Sequence, residues 1–224
     1  MLFASLLEGR DRCGRLLDLG CGTGGILRHL GANGTGFDRS ELALQFCREK
    51  GFTRLVRGDL GAPAFRAGTF DTVLLLDVIE HLDDDVGFLR HASGLCAPGG
   101  RVVIAVPAFQ FLWSKHDETF QHRRRYSRRQ LRAVVDAAGL TPERTTYTNC
   151  LVFPAALIWR LLSYRLGFGR LAPRTDFWSL PRSLNMLLTQ LYALEARLLK
   201  ERNLPFGVSV VCIARTAADG ARRS

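Results

Sequence analysis

None of the six cysteines, at positions 13, 21, 47, 96, 150 and 212, forms a CxxC pair with another. Single scattered thiols exclude a zinc ribbon and offer no disulfide framework, so a reducing, cytoplasmic compartment is the simpler expectation. The first residues, Met1 to Glu8, have no basic stretch leading into a long apolar run, and no secretory signal is expected. The apolar stretch Cys150–Trp159 ends at Arg160 after ten residues, well short of the ~20 that cross a bilayer as a helix. Internal repeats and low-complexity linkers are absent as well. What remains is 224 residues, 47% hydrophobic and 23% charged, a composition that excludes a disordered chain and suits one domain with an insertion.

The charge balance is lopsided. Lys and Arg number 31 against 21 Asp and Glu, for a net charge of +10. A basic surface suits nucleic acid, anionic lipid or a phosphorylated substrate, and an Arg-rich composition alone produces the same sum. The distribution is uneven: a string of Asp marks the first hundred residues and Arg concentrates later.

Hydrophobic patterning predicts strands at 15–19, 34–38, 54–57, 70–76, 101–106, 145–148 and 207–214. Helices are expected over 24–30, after an N-cap at Ser40, and over 83–96, 127–138 and 183–201. In the helix after Ser40, Leu42, Leu44, Phe46 and Cys47 supply apolar positions. Pro98-Gly99-Gly100 reads as a turn. The run Phe70–Leu76 is almost wholly apolar, as a central parallel strand covered on both faces must be. This succession predicts an α/β protein with a doubly wound, mostly parallel seven-stranded sheet and an antiparallel last strand. A helical insertion over 150–205 precedes that strand, so the chain is expected to be one domain, 1–224, around a cofactor-binding core at 14–140.

The turn Asp18-Leu19-Gly20-Cys21-Gly22-Thr23-Gly24-Gly25 lets a ligand approach the main chain closely. Gly20, Gly22 and Gly25 also satisfy the dinucleotide fingerprint, so the turn alone is ambiguous. Charge separates the readings. Asp18, Asp38, Asp59 and Asp77 lie at or just beyond the carboxyl ends of successive predicted strands, where open α/β sheets bind ligands. A pyrophosphate there would meet like charges, each contact costing about 4 kcal/mol at ~4 Å and an effective dielectric near 20. A sulfonium and an ammonium would be welcomed. S-adenosylmethionine carries both.

The segments Leu16 to Gly24, Gly36-Phe37-Asp38-Arg39-Ser40, Gly58-Asp59-Leu60, Phe70-Asp71 through Asp77-Val78-Ile79-Glu80-His81-Leu82, and Pro98-Gly99-Gly100 resemble, in order, the motifs of class I S-adenosylmethionine-dependent methyltransferases. The likeness is to the type 11 and type 12 groups and to the quinone-biosynthesis O-methyltransferases. It implies that Asp18 and the turn Gly20, Cys21, Gly22 and Gly24 face the methionine moiety. It further implies that Asp38, beside Arg39, holds the ribose, that Asp59 and Leu60 serve the adenine, and that Asp77 and Val78 lie near the methionine end.

Transfer of a methyl group from a sulfonium is mostly positioning, and a base is needed only when the acceptor must lose a proton. His81 is one candidate base, and the related O-methyltransferases have a similar Glu-His pair at Glu80-His81. The segment Trp113–Tyr126 is too polar and aromatic for a plain connector and resembles the HD…HxRRY segment of a bacterial methyltransferase subgroup. His116, His122 and Tyr126 are further catalytic candidates, and Glu80, Trp113, Arg124 and Arg125 are candidate substrate contacts. The competing reading is that His122 and Tyr126 only lock the loop to the next helix. Glu80, His81, Asp117 and His122 match no recognised metal-ligand spacing, and no metal is expected.

The insertion could lie on an anionic membrane surface, with Trp159 and Tyr164 at headgroup level and Arg160, Arg165, Arg170 and Arg174 near the lipid. It could equally be a lid over an apolar acceptor pocket, a dimer face or a buried helical cap. The expected acceptor is a small molecule, hydrophobic or lipid-linked, methylated on oxygen by a cytoplasmic enzyme peripheral to the inner membrane face. Nucleic acid is not the expected partner, because no NPPY-like tetrapeptide and no RNA-binding module are present. An RNA methyltransferase, drawn from the cluster Arg123–Arg125, Arg128, Arg129 and Arg132, and a non-catalytic partner protein are the alternatives.

Overall fold

The computed structural model describes residues 6, 14–30, 34–61, 63–165 and 181–218, with the side chains of 163–165 excepted. Seven strands form one sheet: β1 (Leu16–Leu19), β2 (Thr35–Asp38), β3 (Leu55–Arg57), β4 (Phe70–Leu76), β5 (Cys96–Pro107), β6 (Thr141–Thr148) and β7 (Ser209–Arg215). Their order is β3-β2-β1-β4-β5-β7-β6. The first five are parallel, and β7 runs antiparallel to both β5 and β6. This is the expected doubly wound sheet. The order reverses between β1 and β4, which opens a crevice at the carboxyl ends of those two strands.

Side chains alternate between the two faces of the sheet. Leu17, Leu19, Val73, Leu75, Val102, Ile104 and Cys212 pack on one face, beneath α3 (Asp85–Gly94) and α5 (Arg128–Ala137) through Leu89, Ala92, Leu131 and Val135. Leu16, Leu74, Val103 and Val211 pack on the other. There α1 (Leu27–Leu30), α2 (Glu41–Glu49) and α7 (Arg182–Glu201) add Leu27, Leu44, Cys47 and Leu199. Burial on both faces explains why β4 reads as a nearly continuous apolar run.

Helix starts follow their caps. Ser40 accepts from the Ala43 N–H, and Asp84 from the Gly87 N–H. Ser127 and Gln130 close a reciprocal capping box at α5.

Several expectations need correction. Leu42 and Phe46 are exposed, and only Leu44 and Cys47 of that set are buried, because the helical repeat puts Leu44 and Cys47 on the face that α2 turns inward and Leu42 and Phe46 on the opposite one. The Pro98-Gly99-Gly100 turn is absorbed into β5, which begins at Cys96 opposite Phe70 and shifts register before Arg101. Strand β6 starts at Thr141, and its own register shift between Pro142 and Arg144 accommodates the proline. The polar loop after β5 contains a short helix, α4 (Lys115–Thr119), whose start is a capping box between Ser114 and Asp117.

Between β6 and β7 lie α6 (Phe153–Arg165) and α7. Glu195, buried on α7, accepts the backbone N–H groups of Asn149 and Leu151. Arg144 on β6 donates to the carbonyls of Leu199 and Arg202 at the other end of that helix. These contacts fix α7 against the sheet. No helix among the described residues is long and apolar enough to cross a membrane. The side chains of Tyr164 and Arg165, and residues Arg170 and Arg174, lie outside the described residues.

Candidate active site

A cavity of about 530 Å³ opens at the reversal point, within the size range of small-molecule sites. Gly20, Asp38, Arg39, Asp59, Leu60, Asp77 and Val78 line it, together with Gly61, His81, Leu82, Phe120, Gln121 and Arg123. The glycine turn leaves β1 with Gly20 at φ +81°, and a Cβ there would stand 2.9 Å from Val78 Cγ2. Only glycine fits. Gly20 and Cys21 both donate to the Phe37 carbonyl, which stitches the turn to β2.

Asp38 sits at the centre of this arrangement. One carboxylate oxygen accepts the Gly22 N–H at 2.9 Å and the other the Ser40 N–H at 2.8 Å. The same side chain therefore shapes the glycine turn and faces the cavity. Asp59 accepts the Gly61 N–H at 2.7 Å and holds the loop carrying Leu60. Asp77 follows β4 with φ +54°, a strained conformation that Asp tolerates better than most residues. It opens into the recess, and crowding by protein there raises its pKa, opposed by the nearby His122.

Asp18 is different. It is buried beneath the turn and does not line the cavity. Burial first, then the like charge of Asp38, raises its pKa to about 7. Cys21 also turns away, into the core beside Cys47, and burial raises its thiol pKa. Gly22 and Gly24 act through backbone shape, both at positive φ, and do not line the cavity.

The polar loop after β5 docks onto the 3₁₀ turn Ile79–His81. Arg123 donates its backbone N–H to the Glu80 carbonyl and its Nε to the His81 carbonyl. Arg124 reaches the carbonyls of Leu82 and Asp83 and pairs with Asp85 at 3.4 Å. Arg125 is buried and grips Asp117 with two hydrogen bonds, of 2.7 and 2.9 Å. Tyr126 is buried and donates to Asp85 at 2.7 Å. Arg124, Arg125 and Tyr126 are thus engaged in holding the loop, and none of them lines the cavity. Trp113 is half-buried and His116 packs against Phe120 with its ring tilted, both off the cavity wall.

Two histidines converge where the loop meets the turn. The His81 and His122 rings pack edge to face with centroids 4.8 Å apart. Burial and the neighbouring His122 lower the His81 pKa, with hydrogen bonding to the Gln121 and Phe120 backbones opposing the shift, which favours the neutral imidazole at pH 7. The Nδ1 of His122 lies 2.9 Å from Asp117 Oδ1. Hydrogen bonds from His122 and Arg125 outweigh burial and hold Asp117 below the usual carboxylate range. Glu80 is buried beside them, and burial, reinforced by Asp77, pushes its pKa up to about 9.

Sequence reasoning missed Gly61, Leu82, Phe120, Gln121 and Arg123 as cavity residues. The unusual composition of the Trp113–Tyr126 loop pointed to the segment, but which of its side chains face inward depends on the Asp117–Arg125 pair, which no local pattern displays.

Residues 2–145, more than half of the chain, match the family described as methyltransferase domain. The chain belongs to that family and is a class I S-adenosylmethionine-dependent methyltransferase. It is 36% identical over 98 residues to a ubiquinone biosynthesis O-methyltransferase of Bordetella pertussis, a match covering 39% of this chain and 40% of that one. It is 31% identical over 116 residues to a tRNA (carboxymethyluridine(34)-5-O)-methyltransferase of Xenopus tropicalis, covering 49% of this chain and 17% of the relative. The chain thus spans about two-fifths of the length of the first and about a sixth of the second. Among solved structures, a geranyl diphosphate methyltransferase in complex with S-adenosylmethionine superposes with a TM-score of 0.62 at 18% identity, covering 96% of this chain and 83% of that one.

S-adenosylmethionine is the methyl donor that membership of the methyltransferase family implies. The cavity suits it: three carboxylates line the wall, the glycine turn is bare of side chains, and Leu60 and Val78 supply the apolar contacts.

Proposed function

We propose that this protein transfers a methyl group from S-adenosylmethionine to an oxygen of a small-molecule acceptor of hydrophobic or lipid-linked character. The observation that carries the reading is the cavity itself, in which the acidic crevice and the neutral His81 share one wall. The bound cofactor supplies an electrophilic methyl on a positively charged sulfur. The chain's own residues are read as follows. Asp38 anchors the ribose, Asp59 and Leu60 hold the adenine, and Asp77, Val78 and the backbone near Gly20 receive the methionine end. Buried Asp18 offsets the cofactor's positive charge from below the turn. His81, half-buried and uncharged, accepts the proton of an acceptor hydroxyl. The loop Trp113–Tyr126 shields the reacting end from water and closes the acceptor side with Phe120, Gln121 and Arg123.

The hydrophobic acceptor is supported by apolar surface on the insertion. Ile158, Trp159, Leu161 and Leu162 on α6 and Leu184, Met186 and Leu187 on α7 are exposed. The O-methyltransferase of quinone biosynthesis among the relatives agrees with an oxygen acceptor. In this reading residues 14–140 form the cofactor-binding core and 150–205 an insertion that meets the acceptor.

A tritiated-methyl transfer assay on fractionated cell extract tests the proposal. Label is expected in the small-molecule or lipid fraction. Label confined to RNA would favour the second reading, for which a separate observation speaks: Arg128, Arg129, Arg132 and Arg144 line a polar groove of about 620 Å³ along α5 and β6. Asp38→Ala is expected to weaken cofactor affinity several-fold by calorimetry, since it loses a ribose acceptor and loosens the Gly22 turn together. Unchanged affinity in a folded variant would remove Asp38 from the site.

A further inference from the structure

Glu80 has an unusual position for a carboxylate. It is fully buried, and among the described residues neither of its oxygens has a hydrogen-bond partner beyond its own backbone. A buried acid without partners is costly unless something else satisfies it. Two imidazoles stand next to it. One potential ligand atom each from Glu80, His81 and His122 lie within 4.8 Å of one another.

From this convergence we infer a binding site for one first-row divalent cation of the zinc or manganese type, held by Glu80, His81 and His122. The inference rests on the methyltransferase reading only for its role, not for the existence of the site. One carboxylate with two imidazoles is a donor set of mixed oxygen and nitrogen, which favours such ions over magnesium or calcium. Three protein ligands leave a position open, as catalytic sites do. A tetrahedral ion at 2.0–2.2 Å keeps its ligands roughly 3.4 Å apart, so the three atoms must close by about an ångström. His81, half-buried, can make that adjustment by rotating its side chain.

The surroundings are those of a ligand set already oriented. A metal-bound histidine usually donates its other ring N–H to a carboxylate or carbonyl. His122 does so with Asp117 through Nδ1, and Asp117 is itself fixed by Arg125 and the Ser114 backbone N–H. That pairing leaves Nε2 of His122 to bind. His81 has its own backbone hydrogen bonds to Phe120 and Gln121. Arg123 clamps the loop bearing His122 onto the turn bearing the other two ligands. Of the three, His81 also lines the cavity. The open coordination position therefore belongs on the cavity side, where it would take an oxygen of the acceptor, a hydroxyl or an oxyanion, and orient it; with the ion bound, the lone pair of His81 is spent on the ion, and a hydroxyl held there would lose its proton to solvent through polarisation by the ion instead of to His81.

The sequence offered no familiar ligand spacing for these residues, because His122 lies 41 positions beyond His81 and joins it only through the docked loop.

Titration of chelator-treated full-length protein with Co²⁺ tests the site. One equivalent is expected to develop the visible absorption of cobalt bound by nitrogen and oxygen, without the near-ultraviolet band of a thiolate ligand. Glu80→Gln and His122→Ala are each expected to weaken binding at least tenfold, while His91→Ala, on the exposed face of α3, leaves it unchanged. If His122→Ala does not fold, His81→Ala carries the same comparison. Failure of the band to saturate at one equivalent, or its survival in both ligand variants, overturns the site. Calorimetry with S-adenosylmethionine on the same metal-free samples separates the two ideas: cofactor binding without cobalt binding removes only the cation, and cobalt binding without cofactor binding removes only the methyltransferase reading.

Discussion

Asp18 and Asp38 lie twenty residues apart and differ in role. Both end strands beside the glycine turn, yet Asp38 keeps two backbone N–H partners and opens to the cavity, whereas Asp18 is sealed beneath it. Burial and the charge of Asp38 hold the Asp18 pKa near 7, against about 4 in an unfolded chain. In the folded protein Asp18 therefore keeps its proton to higher pH than when unfolded, and its contribution to stability falls as pH rises from about 4 towards 7. Binding of a cation nearby reverses the preference and favours the ionised form. Cofactor binding is accordingly expected to release a proton between about pH 6 and 7 and to strengthen as pH rises through about 7. Calorimetry in buffers of different ionisation heat measures that proton directly. Asp18→Asn should abolish the release, and a buffer-independent heat in the unsubstituted protein would rule out the coupling. The strand-end positions of Asp18, Asp38, Asp59 and Asp77 were legible as a series from the motifs. Which of them meets solvent was not, since exposure depends on how deep each strand end lies beneath the turn.

At the level of elements, the decisive piece is the loop between β5 and α5. Its composition announced a special segment, but the short helix α4 and the inward turn of Asp117 were not visible. Arg124 and Arg125 looked like substrate contacts, and Tyr126 like a catalytic group, because charged and aromatic residues cluster there. In the folded loop Arg124 and Tyr126 pair with Asp85, Arg125 pairs with Asp117, and Arg124 also reaches the carbonyls of the neighbouring turn. A buried pair such as Arg125–Asp117 becomes a liability when one partner is removed. Arg125→Met is expected to destabilise the protein by about 3–5 kcal/mol, because it strands the Asp117 charge. Urea denaturation measures the loss. A variant of unaltered stability would mean that Arg125 is free for another task, such as gripping an acceptor.

For the whole molecule, the basic excess and the exposed apolar side chains of α6 and α7 raise the question of a surface. Trp159 at 45% exposure and Ile158 at 57%, beside Arg160, make a patch that suits the boundary of an anionic membrane. Sedimentation with vesicles rich in anionic phospholipid at low salt is expected to carry the protein down and to release it as salt rises. Protein that stays in the supernatant at low salt would remove the membrane from the proposal and leave the patch to a lid or a second copy. The sheet itself was readable along the chain: each of its seven strands was anticipated, with ends shifted by a few residues where register shifts at Phe70–Thr72 and Pro142–Arg144 absorbed turn-forming residues.

The sequence by itself determined the periodic elements, the strand-end acids and the glycine turn, because each rests on neighbours in the chain and on the repeat of one backbone geometry. Tertiary structure alone decided which side chains face the cavity, since that depends on a loop folding back across 41 residues from His81 to His122. It also decided that Glu80 lies buried between two histidines. Contacts of that separation are selected by packing and by the pairing of buried charges, and those have no local period to read.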